Sequence, residues 1–517
     1  MRQKVLRRGW HGWLAQPFSR HCWASQQWHP TQQWHTDALR GRSHVKSNGT
    51  DGRNRLARAI QLLILLAVAA VLLETWCLRG LFCGLEVSGG SMAPTLVGAH
   101  HEVICGDCSY GFDCGVEGRP ARGRAVCPNC DFAQNRLDGL PLLAGDRVLV
   151  SPAIYRLRPP RRWELAAFRH PEEPGRVCVK RVVGLPGESV QIRDGEVYVD
   201  GRLARKPLER QRALAVLVFD ANFPPSRQPG LPPRWQSERA RAWGSAGGRF
   251  AHAWIDGAGS QGLARTGIDW LIYCHRQWEP GDAGKVHEGP ITNRCGYNQH
   301  RSTHPANVHP VRDVLLSFRL VRASGSGRLL VRASDGREEF VVAIDPAGRS
   351  CELSRAGVVV ASGAEFGFER PGLKVEVALV DGQLSVAGGG RPLLCYQFDP
   401  PDGPSEPTSR PLAIGAESLG VEIQDVRVYR DVYYNCPLGA EGRWGVDLPS
   451  IMGNNEYFVL GDNSLISSDS RVWRGGPGVP AALFVGKPVL VAYPARRIKL
   501  GRLQFQVPDP AEIRYIR

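Results

Sequence analysis

No long basic patch runs through the chain beyond an N-terminal excess, although 65 Lys and Arg stand against 50 Asp and Glu. Without such a patch there is no electrostatic footprint for a nucleic acid, and nucleic acid is not expected as a partner. Lysine is scarce, and arginine carries most of the formal net charge of +15. A lone lysine in an apolar stretch is therefore unlike surface filler. Long apolar runs are absent but for one, Ala59 to Leu78. No A-x-A site follows that run, and a long leader precedes it, both of which argue against a cleaved secretory signal. The first fifty residues lack periodicity and are rich in Trp, His and Gln. They read as a disordered leader, or as sequence wrongly taken to be coding.

What is present begins with the apolar run itself, which is long enough to cross a bilayer as a helix, about 20 residues. Arg53, Arg55 and Arg58 precede it, and Glu74 and Trp76 suit the far interface. The positive-inside rule then puts the N-terminus in the cytoplasm and everything after Leu78 outside. A lipid bilayer is the expected partner of this segment.

Beyond it, the 517-residue chain is too long for one compact domain. Residues 84–205 alternate short β-branched runs with Gly and Pro turns. Asp194-Gly195 between two alternating segments is a hairpin signal. From Val314 a second alternation sets in, with LKVEVALV placing Val375, Val377 and Leu379 on one face. Evenly spaced strands of this kind predict a β-sandwich, jelly-roll-like in pattern. The last stretch returns to the style of the first. The expected fold class is mainly β, with a single N-terminal transmembrane helix and a β domain interrupted by the sandwich. The expected segments are a basic cytoplasmic leader (1–58), a transmembrane helix (59–80) and a first β part (84–205) with a cysteine-knuckle insertion (100–132). The inserted sandwich (206–432) and a second β part (433–517) follow.

Four stretches carry the chemistry. The first, Ser88 to Leu96, reads SGGSMAPTL. A serine hydroxyl is a poor nucleophile until a base takes its proton, and glycines before it allow close backbone approach. Taken alone, SGGS is a Gly/Ser turn. The second, VCVKRVVGLPGE (177–188), sets Lys180 among valines. Burial penalises the ammonium and lowers the amine's pKa toward that of a general base, whereas the default for a lone Lys is a solvated edge position. Alternation sends Arg181 to the opposite side of the strand, so that one of the two is buried and the other solvated. The third, GDNSLISSDSR (461–471), reads by itself as an Asp/Asn/Ser turn with surface charges. The fourth is GDRVLV (145–150).

Together these resemble the motifs of type I signal peptidases: S-M-x-P-T-L, K-R-x-x-G-x-P-G-[DE] and G-D-N-x-x-x-S-x-D-S-R, in the family's order, with GDRVLV fitting the family's remaining strand, G-D-x-V-x-V. The resemblance covers roughly residues 59–205 and 433–500. It implies a largely β catalytic fold, an exocytoplasmic catalytic domain on a bacterial cytoplasmic (inner) membrane, and cleavage of signal peptides of exported preproteins after small residues. By it Ser91 is the nucleophile and Lys180 the general base, with no cofactor for catalysis. Ser467 would orient the Lys180 amine, while Asp469 and Arg471 would pair across one face of a strand, with Asp462 in the same supporting group. Gly89, Gly90, Met92 and Pro94 would meet substrate. Where some members carry a serine two residues before the nucleophile this chain has Gly89, which leaves the second oxyanion donor open beside the Ser91 N–H. The large insert lies outside the family's common core.

Of the 14 cysteines, Cys105, Cys108, Cys127 and Cys130 form two C-x-x-C knuckles. Their spacing matches a zinc ribbon, a candidate structural zinc; an oxidising exterior would favour a pair of disulfides instead. Cys114 lies between the knuckles, and His100 and His101 stand close by as further candidate ligands. Two other functions remain in view. One is a proteolytically inactive, membrane-anchored binding protein acting through the insert, against which the intact Ser91, Lys180, Ser467, Asp469 and Arg471 weigh. The other is a self-cleaving Ser–Lys repressor, against which the apolar run and the lack of a helix-turn-helix pattern count.

Overall fold

In the computed structural model the described residues are 50–73 and 81–516, apart from 119–122, 227–231, 240–241, 254–266, 279–285, 300–306, 348, 364–371, 402–405, 437–442, 493–495, 501–502 and 508–512. Residues 1–49 of the leader lie outside them, as do Glu74 and Trp76. A helix runs over Thr50–Leu72, and its leucines are exposed, Leu63 at 66%. Among the described residues no helix is long and apolar enough to cross a membrane. The spanning helix expected over 59–80 is not shown; residues 74–80 lie outside the described residues.

The remainder is mainly β. One eight-stranded sheet orders Cys83–Glu86, Arg147–Ser151, Phe484–Ala492, Leu165–Arg169, Val177–Gly184, Glu456–Leu460 and Val479–Pro480, with Arg514–Tyr515 paired to Phe484–Ala492. Strands from both ends of the sequence interleave in it. A smaller sheet carries the hairpin Ser189–Arg193 and Glu196–Val199. Its turn residues Asp194 and Gly195 both take positive φ, 50° and 88°, the geometry of a two-residue primed turn.

Between these parts the chain builds a sandwich of an eight-stranded and a seven-stranded antiparallel sheet. Val375, Val377 and Leu379 point into the one core the two sheets share. The alternate residues Ala378 and Val380 are also buried, packed with Leu208 of the helix Leu208–Leu214. The sandwich's first and last strands, Val216–Asp220 and Gly420–Arg430, pair with each other, so the insert leaves and rejoins the first sheet system side by side. Val216, Val432 and Tyr434 pack in one core with Phe458 and Leu460. At the crossing, Lys206 Nζ lies 2.5 Å from Asp381 and 2.8 Å from Asp431, all three buried.

Candidate active site

Lys180 sits in Val177–Gly184, opposite Ala166 of the neighbouring strand, with 3% of its surface exposed. Its Nζ donates to Ser467 Oγ at 2.9 Å. Burial lowers its pKa from the ordinary 10.5 to about 8, while the Asp469 carboxylate pulls the other way. A lysine in this state is partly neutral near neutral pH and can accept a proton. Among the described residues Nζ makes no hydrogen bond to Ser91 Oγ; such contacts often tighten only when substrate binds.

Arg181 departs from the sequence expectation. It is not solvated but 1% exposed. Its guanidinium forms a two-pronged pair with Asp462 (Nε to Oδ1 2.7 Å, Nη2 to Oδ2 2.6 Å) and donates to the Trp163 carbonyl at 2.8 Å. Alternation does send Lys180 and Arg181 to opposite faces, but this strand is covered on both. A buried guanidinium is tolerable only with such a partner. Asp462 Oδ2 also accepts from Thr95 Oγ1 at 2.6 Å, tying the lysine strand to the turn after Ser91.

The loop Gly461–Asn463 carries Ser91. Asn463 N donates to the Ser91 carbonyl at 3.0 Å, and Asn463 Nδ2 to the Gly90 carbonyl at 2.8 Å. Gly461 has no room for a side chain: a Cβ there would fall 2.5 Å from the Ser91 carbonyl and closer still to Ser467 Oγ. The backbones of Ser91 and of the lysine's partner thus converge on one glycine. The Ser91 N–H makes no hydrogen bond among the described residues and remains available to an oxyanion. Asp146 Oδ2 accepts from Val97 N at 3.0 Å and so fixes the far end of the serine motif.

Asp469 and Arg471 form a fully buried pair, Nη2 to Oδ2 2.7 Å and Nε to Oδ1 2.8 Å. Asp469 also accepts from Gly461 N at 3.0 Å. Burial pushes its carboxyl up, but the Arg471 guanidinium outweighs this and holds it below the ordinary value. The pair lies in a turn, not on a strand as expected. A turn presents both side chains inward because the carboxylate also caps the turn's own N–H groups, among them Arg471 N at 3.2 Å.

Two of the residues expected to meet substrate are buried. Met92 is 1% exposed and packs with Leu96, Val148, Val150 and Leu165 as ordinary core. Gly90 is buried under the Tyr297 ring, which a Cβ would strike. Gly89 is half-buried and Pro94 exposed.

Sequence reasoning missed that the insert reaches this site. Asn298, fully buried in the short helical turn Gly296–Asn298, exchanges amide hydrogen bonds with Asn463, one of them 2.8 Å. Tyr297 packs with Ala93 and Val97 and donates to the Ala99 carbonyl at 3.1 Å. Nothing in periodicity marks CGYNQ (295–299) as a contact of residues 200 positions earlier.

The four knuckle cysteines converge, buried, with their sulfurs all within 4.8 Å of one another. Cys105 and Cys130 Sγ lie 3.6 Å apart and Cys108 and Cys127 Sγ 3.7 Å, far beyond the roughly 2.05 Å of a disulfide. These separations match the edges of a tetrahedron about an ion with metal–sulfur bonds of about 2.3 Å. Asp107 N donates to Cys105 Sγ at 3.4 Å. The neighbouring candidates are engaged elsewhere: His100 Nδ1 meets the Gly98 carbonyl at 2.8 Å and His101 Nδ1 the Pro141 carbonyl at 3.0 Å. Cys114 is buried nearby but outside the group of four. The knuckles are stitched to the insert, with Asn129 Oδ1 accepting from Asp220 N at 2.7 Å and Gln299 bonding both N–H and carbonyl of Val126 at 2.9 Å.

A family described as signal peptidase, peptidase S26, matches residues 140–233. Over this stretch the chain is similar to type I signal peptidases. Signal peptidase I V of Bacillus subtilis is 29% identical over 83 residues, 15% of this chain and 48% of that protein. A probable signal peptidase I-1 of Synechocystis is 34% identical over 98 residues, 17% of this chain and 47% of that protein. The matched stretch thus spans about half the length of these curated relatives. Among solved structures, the carbohydrate binding module CBM66 from Bacillus subtilis is similar at a TM-score of 0.24 and 8% identity, covering 38% of this chain and 95% of that one.

Proposed function

We propose that this chain is a signal peptidase that cuts signal peptides from exported preproteins after small residues, with Ser91 as nucleophile and Lys180 as general base. The observation that carries the reading is the buried Lys180 amine, held by Ser467 and lowered to about 8, beside a serine loop fixed by Asn463. Neutral Lys180 takes the proton of Ser91 Oγ as the oxygen attacks the scissile carbonyl. The developing oxyanion meets the Ser91 N–H, and the ammonium of Lys180 returns the proton to the departing amine. Water, deprotonated by the same amine, then releases the acyl group. Asp469–Arg471 and Arg181–Asp462 keep the two halves of the site in register.

The proposal includes a bilayer anchor. The exposed leucines of Thr50–Leu72 and the arginines before them support a helix in a bacterial cytoplasmic membrane, with its N-terminus inside and the catalytic domain outside. It also includes a structural zinc on Cys105, Cys108, Cys127 and Cys130. Four thiolates leave it no open position for chemistry.

The test is cleavage of a preprotein with an A-x-A site by the detergent-solubilised protein, beside Ser91→Ala and Lys180→Ala. Cleavage at that site, lost in both variants, is the expected result. A folded parent that leaves several preproteins intact would overturn the proposal.

A further inference from the structure

Away from Ser91, a cleft of about 100 Å³ lies between the cysteine knuckles and the sandwich. One wall is apolar, with Val216, Val218 and Ile291. The charged lining is one-sided. Arg276, Arg294 and Arg430 line it, against a single carboxylate, Asp131, which is already paired with Arg234.

Arg276 and Arg430 are 8% and 5% exposed. Their hydrogen bonds run to backbone carbonyls: Arg276 to Pro232, and Arg430 to Asp431 at 2.8 Å and Arg294 at 3.0 Å. Neither makes an ion pair among the described residues; Glu288 and Asp131 act on Arg276, and Asp431 on Arg430, only through space, and burial still lowers both guanidinium groups. A guanidinium taken out of water without a contacting counter-charge is costly, and elsewhere this protein supplies the partner, as in Arg181–Asp462 and Arg471–Asp469. The surplus is felt locally. Burial and the Arg234 charge lower Arg276, and burial with Arg234 and Arg294 drives His275 well down, so His275 adds no further charge.

We propose that this cleft binds a small oxyanion, a carboxylate or a phosphate monoester carried on an apolar body, with Arg276 and Arg430 as its charge partners. Residues 291–299 form one side of the cleft and also carry Tyr297 and Asn298 onto the nucleophile loop. Occupancy of the cleft therefore steadies the segment that holds Gly90 and Asn463.

The experiment is calorimetric titration of the full chain with phenyl phosphate and with benzoate, which separate the two headgroups. Benzyl alcohol serves as the uncharged counterpart and inorganic phosphate as the headgroup alone. At least one aromatic anion should bind, with inorganic phosphate tenfold weaker or worse and benzyl alcohol silent. Binding should fall at least tenfold in Arg276→Gln and in Thr292→Glu, which adds a carboxylate to the lining without removing an arginine. No binding of either aromatic anion, equal binding of benzyl alcohol, or undiminished binding in both folded variants overturns the site. Amide exchange across residues 291–299 should slow with the bound anion; unchanged exchange there overturns the coupling. None of these readouts needs peptidase activity, so they stand or fall apart from the proposed function.

Discussion

Replacing Lys180 with methionine should abolish cleavage and make the protein more stable at neutral pH. The unfolded chain holds this amine at the ordinary 10.5, and the folded chain at about 8. Below pH 8 both states are protonated, and the folded state bears the full cost of a buried ammonium. The gap between the two values corresponds to about 3 kcal/mol. Ser467 loses its donor in the variant, which takes back about 1 kcal/mol, so the net gain is about 2 kcal/mol. Between pH 8 and 10.5 the unfolded chain binds the proton that the folded chain has released. The parent's stability therefore climbs with pH in that window and the advantage of the variant disappears. In the proposed mechanism the same amine sets the rate. At pH 7 about one Lys180 in ten is neutral, against about one in three thousand for an ordinary lysine. Parental kcat/KM should then rise about tenfold per pH unit and level off near pH 8. Urea unfolding of parent and Lys180→Met at pH 7 and pH 10, with a pH–rate profile of the parent, measures both. A variant no more stable than the parent at pH 7, together with a flat profile from pH 6 to 9, would refute the reasoning.

Asp462→Asn strips the partner from a guanidinium that is 1% exposed and should destabilise the fold by about 3–5 kcal/mol, read as a lower urea midpoint. Asn298→Ala should lower kcat about tenfold with little change in KM and no shift of the Lys180 titration, because it loosens the serine loop and leaves the lysine pocket intact; an unchanged kcat speaks against the insert's part in the site. Gly90→Ala should impair folding through collision with Tyr297, and Tyr297→Leu in the same chain should restore part of the loss in thermal melting. Metal analysis should find about one zinc per chain, lost in Cys127→Ser, with a lower melting temperature after chelation.

Much of the candidate site was legible because its residues lie in short runs with fixed spacing. Ser91 with its flanking glycines, Lys180 among valines and the 461–471 stretch each announce a chemistry that local order alone permits. The hairpin at Asp194-Gly195 and the sandwich strands from Val314 were legible for a related reason, since turn chemistry and period-two alternation are local properties of the backbone. The two C-x-x-C knuckles likewise named a four-sulfur group by spacing.

Other features were decided only when distant segments met. Alternation separates Lys180 from Arg181 but does not say that both faces of the strand are covered; that required Asp462 to arrive from 281 positions away and pair with the arginine. Met92 belongs to a family motif, yet its side chain faces a core built from strands at 148–150 and 165–167. The choice between disulfides and a metal-like arrangement at the knuckles turned on sulfur separations that no spacing rule supplies. Tyr297 and Asn298, in an irregular stretch with no periodicity, reach the nucleophile loop only because the insert folds back beside it. Sequence determined which groups can do the chemistry, because that is a matter of residue type and neighbours along the chain. Tertiary structure decided which of them are buried, paired and aimed, because burial and charge pairing depend on what the rest of the chain brings to the same place.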